Sequence, residues 1–242
     1  MSTLLYVTQV APYQNGPAGA HGVLEQSALA VYELADLAGL TPRRVSDVRQ
    51  VSAADLAAAR AVGLFTIGET PWSDLQRAVL LDGVRSGRTA VVAIHAATDS
   101  CYSWEDYGQL VGARFDGHPW TQDVTLDVVD QDHPATRHLG PSWPWRDEVY
   151  LFRDLRPDAR VLLRARPDEL DQDAPGARAR SCGRGARRRG CPTRESRRSL
   201  PLAERPGQPA RQIPQVHRVL PGGGEMPQRG REHSPVSFAE AP

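Results

Sequence analysis

Residues 90–94 read Ala-Val-Val-Ala-Ile, an apolar run with no polar alternation, and the residue that follows is His95. A strand of that kind is buried on both faces, which places it inside a parallel sheet covered by helices on either side. In open sheets of this type the ligand crevice lies beyond the carboxyl ends of the strands. The run therefore predicts a strand that delivers an imidazole to the edge where chemistry is placed.

The segments upstream repeat one plan. Leu4–Val10 is β-rich, and a Gly- and Pro-containing loop over 11–22 carries His21 into Val23–Leu37, where apolar residues recur at helical spacing. Arg43–Val48 reads as a second strand, Ser52 as the N-cap of a short helix over Ala53–Ala59, and Ala61–Ile67 as a third strand. Pro71 with Ser73 or Asp74 opens a further helix, which Ser86-Gly87 closes before the His95 strand. Four strands separated by helical crossovers give an α/β fold, a parallel sheet with helices on both faces. Beyond His118 the pattern changes. Val124, Leu126 and Val128 alternate with Thr125, Asp127 and Val129, as in an edge or excursion strand wet on one face. Asp147–Phe152 and Arg160–Ala165 are the last segments with strand character.

Composition divides the chain. Residues 1–174 hold 15 Arg against 24 Asp plus Glu, whereas 175–242 hold 14 Arg against 5 Glu. All five Trp and all six Tyr precede residue 175, and half of the 20 Pro lie in 175–242, so only the first part can build a core. Two regions are expected: an α/β domain over 1–174, and an Arg/Pro/Gly-rich tail over 175–242 that cannot offset its ordering entropy by burial. Lysine is absent and every basic residue is Arg, a mark of G- and C-rich codons. The abrupt change near residues 170–180 in such a chain points to an out-of-frame reading of the authentic C-terminal part, leaving the domain incomplete there. The Arg-rich run 184–198 lies inside that tail and has no aromatic interleaving, so nucleic acid is not an expected partner. No run approaches the roughly 20 apolar residues of a membrane span, the start lacks a basic targeting segment, and the three Cys form no CxxC pair, which together predict a cytoplasmic protein.

The chemistry-bearing residues are few. His95 stands past a central strand, His21 in the first strand-to-helix loop, and His118 and His133 each precede proline, where extended or turn geometry is enforced. Asp147 and Glu148 are adjacent, and neighbouring strand residues point to opposite faces, so one of the two is expected to face the site. Trp104, Tyr107, Trp120 and Tyr150 supply flat rings of the kind that cover the apolar face of a sugar. Cys101 has no cationic neighbour to activate it and reads as a small buried residue.

These residues, taken in order, carry a resemblance. His21, Ile94-His95-Ala96-Ala97, Trp104 with Tyr107, Gly112 to Pro119, Asp132 to Thr136 and Asp147-Glu148-Val149-Tyr150 resemble the ThuA-like (trehalose utilisation) family over residues 4 to about 170. The resemblance implies a flavodoxin-like fold related to class I glutamine amidotransferases. It also implies a role in the catabolism of trehalose or a related disaccharide or glycoside. An amidotransferase of that fold carries its nucleophilic Cys at the elbow that His95 occupies here, so glutamine hydrolysis is not expected. Two readings of function follow. In one, the protein is a hydrolase-type enzyme with His21, His95, His118, Asp147 and Glu148 as catalytic groups and Trp104, Tyr107, Tyr150 and Trp120 binding substrate. A divalent metal such as zinc is compatible with it, held by His21, His95 and His118. In the other, it is a non-catalytic carbohydrate-binding or regulatory module, with this chain inactive through loss of its C-terminal part.

Overall fold

The computed structural model describes residues 2–14, 16–17, 22–174 and 177. Its first half is a βα alternation: β1 (Thr3–Val10), α1 (Leu24–Leu37), β2 (Thr41–Val45), α2 (Ala53–Ala58), β3 (Ala59–Ile67), α3 (Asp74–Arg85) and β4 (Ala90–Ala93). The four strands form one parallel sheet in the order β2-β1-β3-β4. The unalternating strands β1 and β3 are covered on both sides as the sequence suggested, whereas β4, expected to be central, stands at the edge of the sheet with Ala90 and Val92 only half-buried. Leu5, Val7, Val62, Leu64, Val91 and Ala93 pack with Leu56 of α2, Leu80 of α3 and the later Leu110 and Val111. Leu4, Tyr6, Ala61 and Phe65 pack on the opposite side with Ala28, Val31 and Ala35 of α1.

Capping sets the starts of α2 and α3. Ser52 and Asp55 form a reciprocal capping box at α2, and Ser73 with Gln76 forms another at α3. The Gln76 amide also donates to the carbonyls of Val48 (2.8 Å) and Val51 (2.5 Å), tying α3 to the segment before α2. Replacing Ser73 by Ala removes this cap and is expected to cost about 1 kcal/mol, a fall in Tm of about 2–4 °C by calorimetry. An unchanged Tm would show that the cap contributes nothing. The second strand differs from the sequence reading: β2 ends at Val45, and Val48–Gln50 is a 3-10 turn. Asp47 causes the change, because its carboxylate accepts the Arg49 N–H at 2.9 Å and bends the chain out of the sheet.

After β4 come a 3-10 turn over His95–Asp99, α4 (Glu105–Val111), and the strands β5 (Arg114–Phe115), β6 (Trp120–Val128), β7 (Ser142–Val149), β8 (Phe152–Arg153) and β9 (Leu163–Ala165). β6 is an excursion and not an edge. It lies at the centre of a separate antiparallel sheet in the order β7-β6-β9. Val124, Leu126 and Val128 are buried as their alternation implied, and the first two pack with Trp143 and Trp145 of β7 and with Leu170 and Ala174. The expectations for the tail, its lack of order and its reading frame, lie outside the described residues.

Candidate active site

The strand order reverses at β1, whose neighbours β2 and β3 are reached in opposite directions, so the carboxyl ends of β1, β3 and β4 frame the crevice of this sheet. His95 stands there. Its backbone adopts a left-handed conformation with φ 49°, which turns the chain sharply out of β4 and into the 3-10 turn. A non-glycine residue in that region carries strain of about 1 kcal/mol, retained where the surroundings over-determine it. Here the imidazole is stacked on Phe65 of β3, with centroids 5.6 Å apart and planes at 23°. It meets Tyr150 edge-on at 5.1 Å. Its Nδ1 lies 2.7 Å from the Tyr150 hydroxyl.

The other nitrogen faces the end of β7. Nε2 is 3.9 Å from Asp147 Oδ1 and 3.8 Å from Glu148 Oε2, while Glu148 Oε1 is 3.8 Å from Nδ1 of His118. Glu148 thus spans two imidazoles at ion-pair range, beyond the roughly 3.2 Å limit of a direct hydrogen bond. His118 is stacked on Tyr150 with centroids 5.7 Å apart and stands 5.8 Å from the Phe115 ring. His95 is mostly covered, its side chain 12% exposed, whereas His118 is 43% exposed. Both adjacent carboxylates reach His95, against the expectation that one would. The strand is ending at this point, and the Asp147 carboxylate folds back to accept the Glu148 N–H at 2.8 Å.

Burial pushes the Tyr150 phenol up, the charge of Glu148 and a side-chain hydrogen bond to it add to that, and the charges of Asp99 and Asp147 follow, so it keeps its proton. Asp99 is a residue that the sequence reading did not single out. It is buried at the end of the His95 turn, where its two oxygens accept from the hydroxyls of Tyr13 (2.7 Å) and Tyr102 (2.6 Å). Burial, then the Asp99 contact, raises both phenols. The buried Arg114 was also passed over. Its guanidinium donates to the carbonyls of Ser100 (2.8 Å), Cys101 (3.1 Å) and Trp104 (2.7 Å), fixing the loop after the His95 turn. Gly108 makes room for it, since a Cβ there would lie 2.6 Å from Arg114 Nε. The Gly-Ala-Arg-Phe run in the family-like pattern was the available signal for Arg114; Asp99 had none.

Three proposed sugar-facing rings are core. Trp104 and Tyr107 are buried with Trp72 under α4, and the Tyr107 hydroxyl donates to Ala97 O at 3.0 Å. Trp120 is buried in the second sheet and donates its indole N–H to Asp171 O at 2.6 Å. Their packing faces are taken, so they shape the walls and leave Tyr150 as the one of the four rings beside the histidines. His133 caps a turn, its Nδ1 accepting the Ala135 N–H at 3.1 Å. His21 lies outside the described residues. Among the described residues no group of three or more His, Cys, Asp or Glu side chains is arranged to hold a metal ion, and no helix is long and apolar enough to cross a membrane.

Cys101 is buried, with its sulfur 2.9 Å from the Thr70 hydroxyl, and burial pushes its thiol up from 9.0 to about 11. In a chain carrying Cys182→Ser and Cys191→Ser, Cys101 should resist a thiol reagent at pH 8 and react on unfolding; rapid labelling of the folded chain would contradict this burial. The linkage has a sign. The folded state holds the thiol proton more tightly, so this contribution to stability is full below pH 9.0 and is lost as pH rises towards about 11.

Comparison with known proteins bears on the same region. Residues 13–188 match a family model described as ThuA, trehalose utilisation. A ThuA-like protein from Bacteroides uniformis superposes with a TM-score of 0.55 at 20% identity, covering 69% of this chain and 68% of that one. Another from Parabacteroides merdae gives 0.51 at 16% identity, covering 68% of each chain. No curated protein matches the chain. At these identities the two structures support the fold, and the family model, matched over more than half of the sequence, assigns the family: the chain belongs to the ThuA (trehalose utilisation) family.

Proposed function

We propose that the protein is an enzyme of sugar catabolism that acts on a disaccharide or glycoside, trehalose or a relative, by hydrolase-type general acid–base chemistry. The observation that carries this reading is the Glu148 carboxylate held 3.8 Å from each of two imidazoles, His95 and His118, at the carboxyl edge of the sheet. Facing carboxylate and imidazole groups allow a proton to be taken at one atom and given at another, as cleavage of a glycosidic bond by water requires. Glu148 takes a proton from the attacking water as its oxygen bonds to the anomeric carbon, the glycosidic C–O bond breaks, and the departing oxygen receives a proton from the His118 imidazole, which regains it from Glu148. The His95 imidazole stabilises charge on the substrate oxygens. Asp147 Oδ1 lies 3.9 Å from His95 Nε2 and adds negative charge on that side of the ring. Tyr150 is buried like the other three rings, packed against His95, His118, Phe115 and Phe152, so it holds the two imidazoles in place and does not itself cover a sugar face. A cytoplasmic location and a small-molecule sugar as the partner go with this reading.

The test is turnover of a panel of disaccharides, glycosides and their keto forms by the purified full chain, before and after chelation. Turnover that survives the chelator supports acid–base chemistry by these side chains, and turnover that disappears and returns with zinc would make the histidines metal ligands. Saturable sugar binding with no turnover of any compound would replace the enzyme by a carbohydrate-binding module.

A further inference from the structure

The two nitrogens of the His95 ring have different surroundings. A neutral imidazole carries one N–H and one lone pair, and the partners of its nitrogens decide which is which. On the Nε2 side stand Asp147 Oδ1 at 3.9 Å and Glu148 Oε2 at 3.8 Å. A carboxylate only accepts, so the field there favours the nitrogen that bears hydrogen. On the Nδ1 side stands a phenol at 2.7 Å, which is able to donate, with the Glu148 carboxylate as a competing acceptor for the same proton. Exchanging the two nitrogens by rotating the ring is opposed by Phe65, stacked beneath it, and by the edge contact with Tyr150. The Tyr150 ring is itself fixed by Phe115 at 4.8 Å and Phe152 at 6.1 Å.

We propose that Tyr150 is a positioning residue that donates its hydroxyl proton in a hydrogen bond to His95 Nδ1 and so holds the neutral ring as the Nε2–H tautomer. His95 then presents a hydrogen-bond donor to the cleft and not a lone pair, and the proton acceptor of the site is the Glu148 carboxylate. The substrate group that suits His95 is an oxygen gaining negative charge, a glycosidic or carbonyl oxygen, since a neutral N–H stabilises such charge without itself being a base. This assignment rests on the acid–base reading above for its role in turnover, but the tautomer itself is a property of the free protein.

The experiment is a long-range proton–nitrogen correlation spectrum of the full chain labelled with 15N-histidine, recorded on the alkaline side of neutrality. His95→Gln identifies the ring's resonances by their loss. The expected wild-type ring has Nδ1 at the far-downfield position of an unprotonated nitrogen and Nε2 at the upfield position of an N–H. In Tyr150→Phe, which keeps the aromatic packing and removes only the hydroxyl, the two shifts should move towards each other. Turnover should fall about tenfold with KM unchanged, the equivalent of one hydrogen bond lost from the transition state. A wild-type ring with hydrogen on Nδ1 would overturn the proposal, as would a Tyr150→Phe spectrum identical to wild type. Should Tyr150→Phe fail to fold, the wild-type spectrum decides alone, because hydrogen on Nδ1 makes Tyr150 the acceptor. These spectra need no substrate, so failure of every sugar to react would end the functional reading and leave the tautomer standing.

Discussion

Replacing His95 by Asn is expected to lower sugar turnover by about 10²–10⁴-fold, the range for removal of a group that moves or stabilises a proton in the transition state. Asn is the informative substitution because it tolerates the left-handed backbone at φ 49°, which Ala would adopt only with strain. The ring's packing on Phe65 is lost, so a stability cost of about 1–2 kcal/mol is expected, with the circular dichroism spectrum unchanged. Kinetics and thermal unfolding of the same preparation check both halves. A folded His95→Asn chain with wild-type turnover would remove His95 from the chemistry and leave it as a packed strand-end residue.

The second large effect lies at Gly68, just past β3. Its φ is +78°, and a Cβ added there would stand 2.0 Å from the carbonyl oxygen of Ala11 and 2.8 Å from the Ala11 carbonyl carbon. Both neighbours are backbone, so no side chain is able to move aside. Around Gly68 the ends of three strands are tied: Ala11 N donates to Ile67 O (2.9 Å), Gly68 N to Asp99 O (2.9 Å) and Cys101 N to Gly68 O (2.9 Å). Gly68→Ala is expected to push the loop after β1 off this junction, at a cost of about 3–5 kcal/mol and a fall in Tm of about 10 °C or more. Turnover should fall with it, because Asp99 and the His95 turn hang from the same bonds. A Tm within a couple of degrees of wild type would mean that the junction yields easily and does not brace the site.

Much of the architecture could be read from local patterns because its causes are local. The apolar strand before His95 and the serines that open α2 and α3 are signalled within a few residues, and the structure has these elements there; that β4 ends the sheet and is not central is a matter of strand order, which no local pattern carries. The pairing of β6 with β7 and β9 depends on contacts distant in sequence, so alternation showed a strand wet on one face and not its place in the middle of a sheet. The aromatic residues illustrate the same limit. Trp104, Tyr107 and Trp120 sit in segments that read as loops, and only tertiary packing turns their rings inward. Asp99 carries no motif, being one polar residue in a turn of small ones, and its role appears when Tyr13, 86 positions away, arrives to bond it.

The carboxylate half of the site hangs on the β6–β7 hairpin, and its strands are joined by residues 129–141. Along β7 the residues Trp143, Trp145 and Asp147 alternate with Pro144, Arg146 and Glu148. A slip of one position in the pairing would set Arg146 or Val149 in place of one of the two acids beside His95, and a slip of two would remove both. The length of the hairpin connection is therefore a chemical setting as much as a structural one. His133, Thr136 and Asp130, which knit that connection together by hydrogen bonds, act as its counting device. An insertion of a single residue between 129 and 141 would leave the parallel sheet and His95 in place while presenting the imidazole with the wrong partner, a change of chemistry written some 17 Å of strand away from where it is felt.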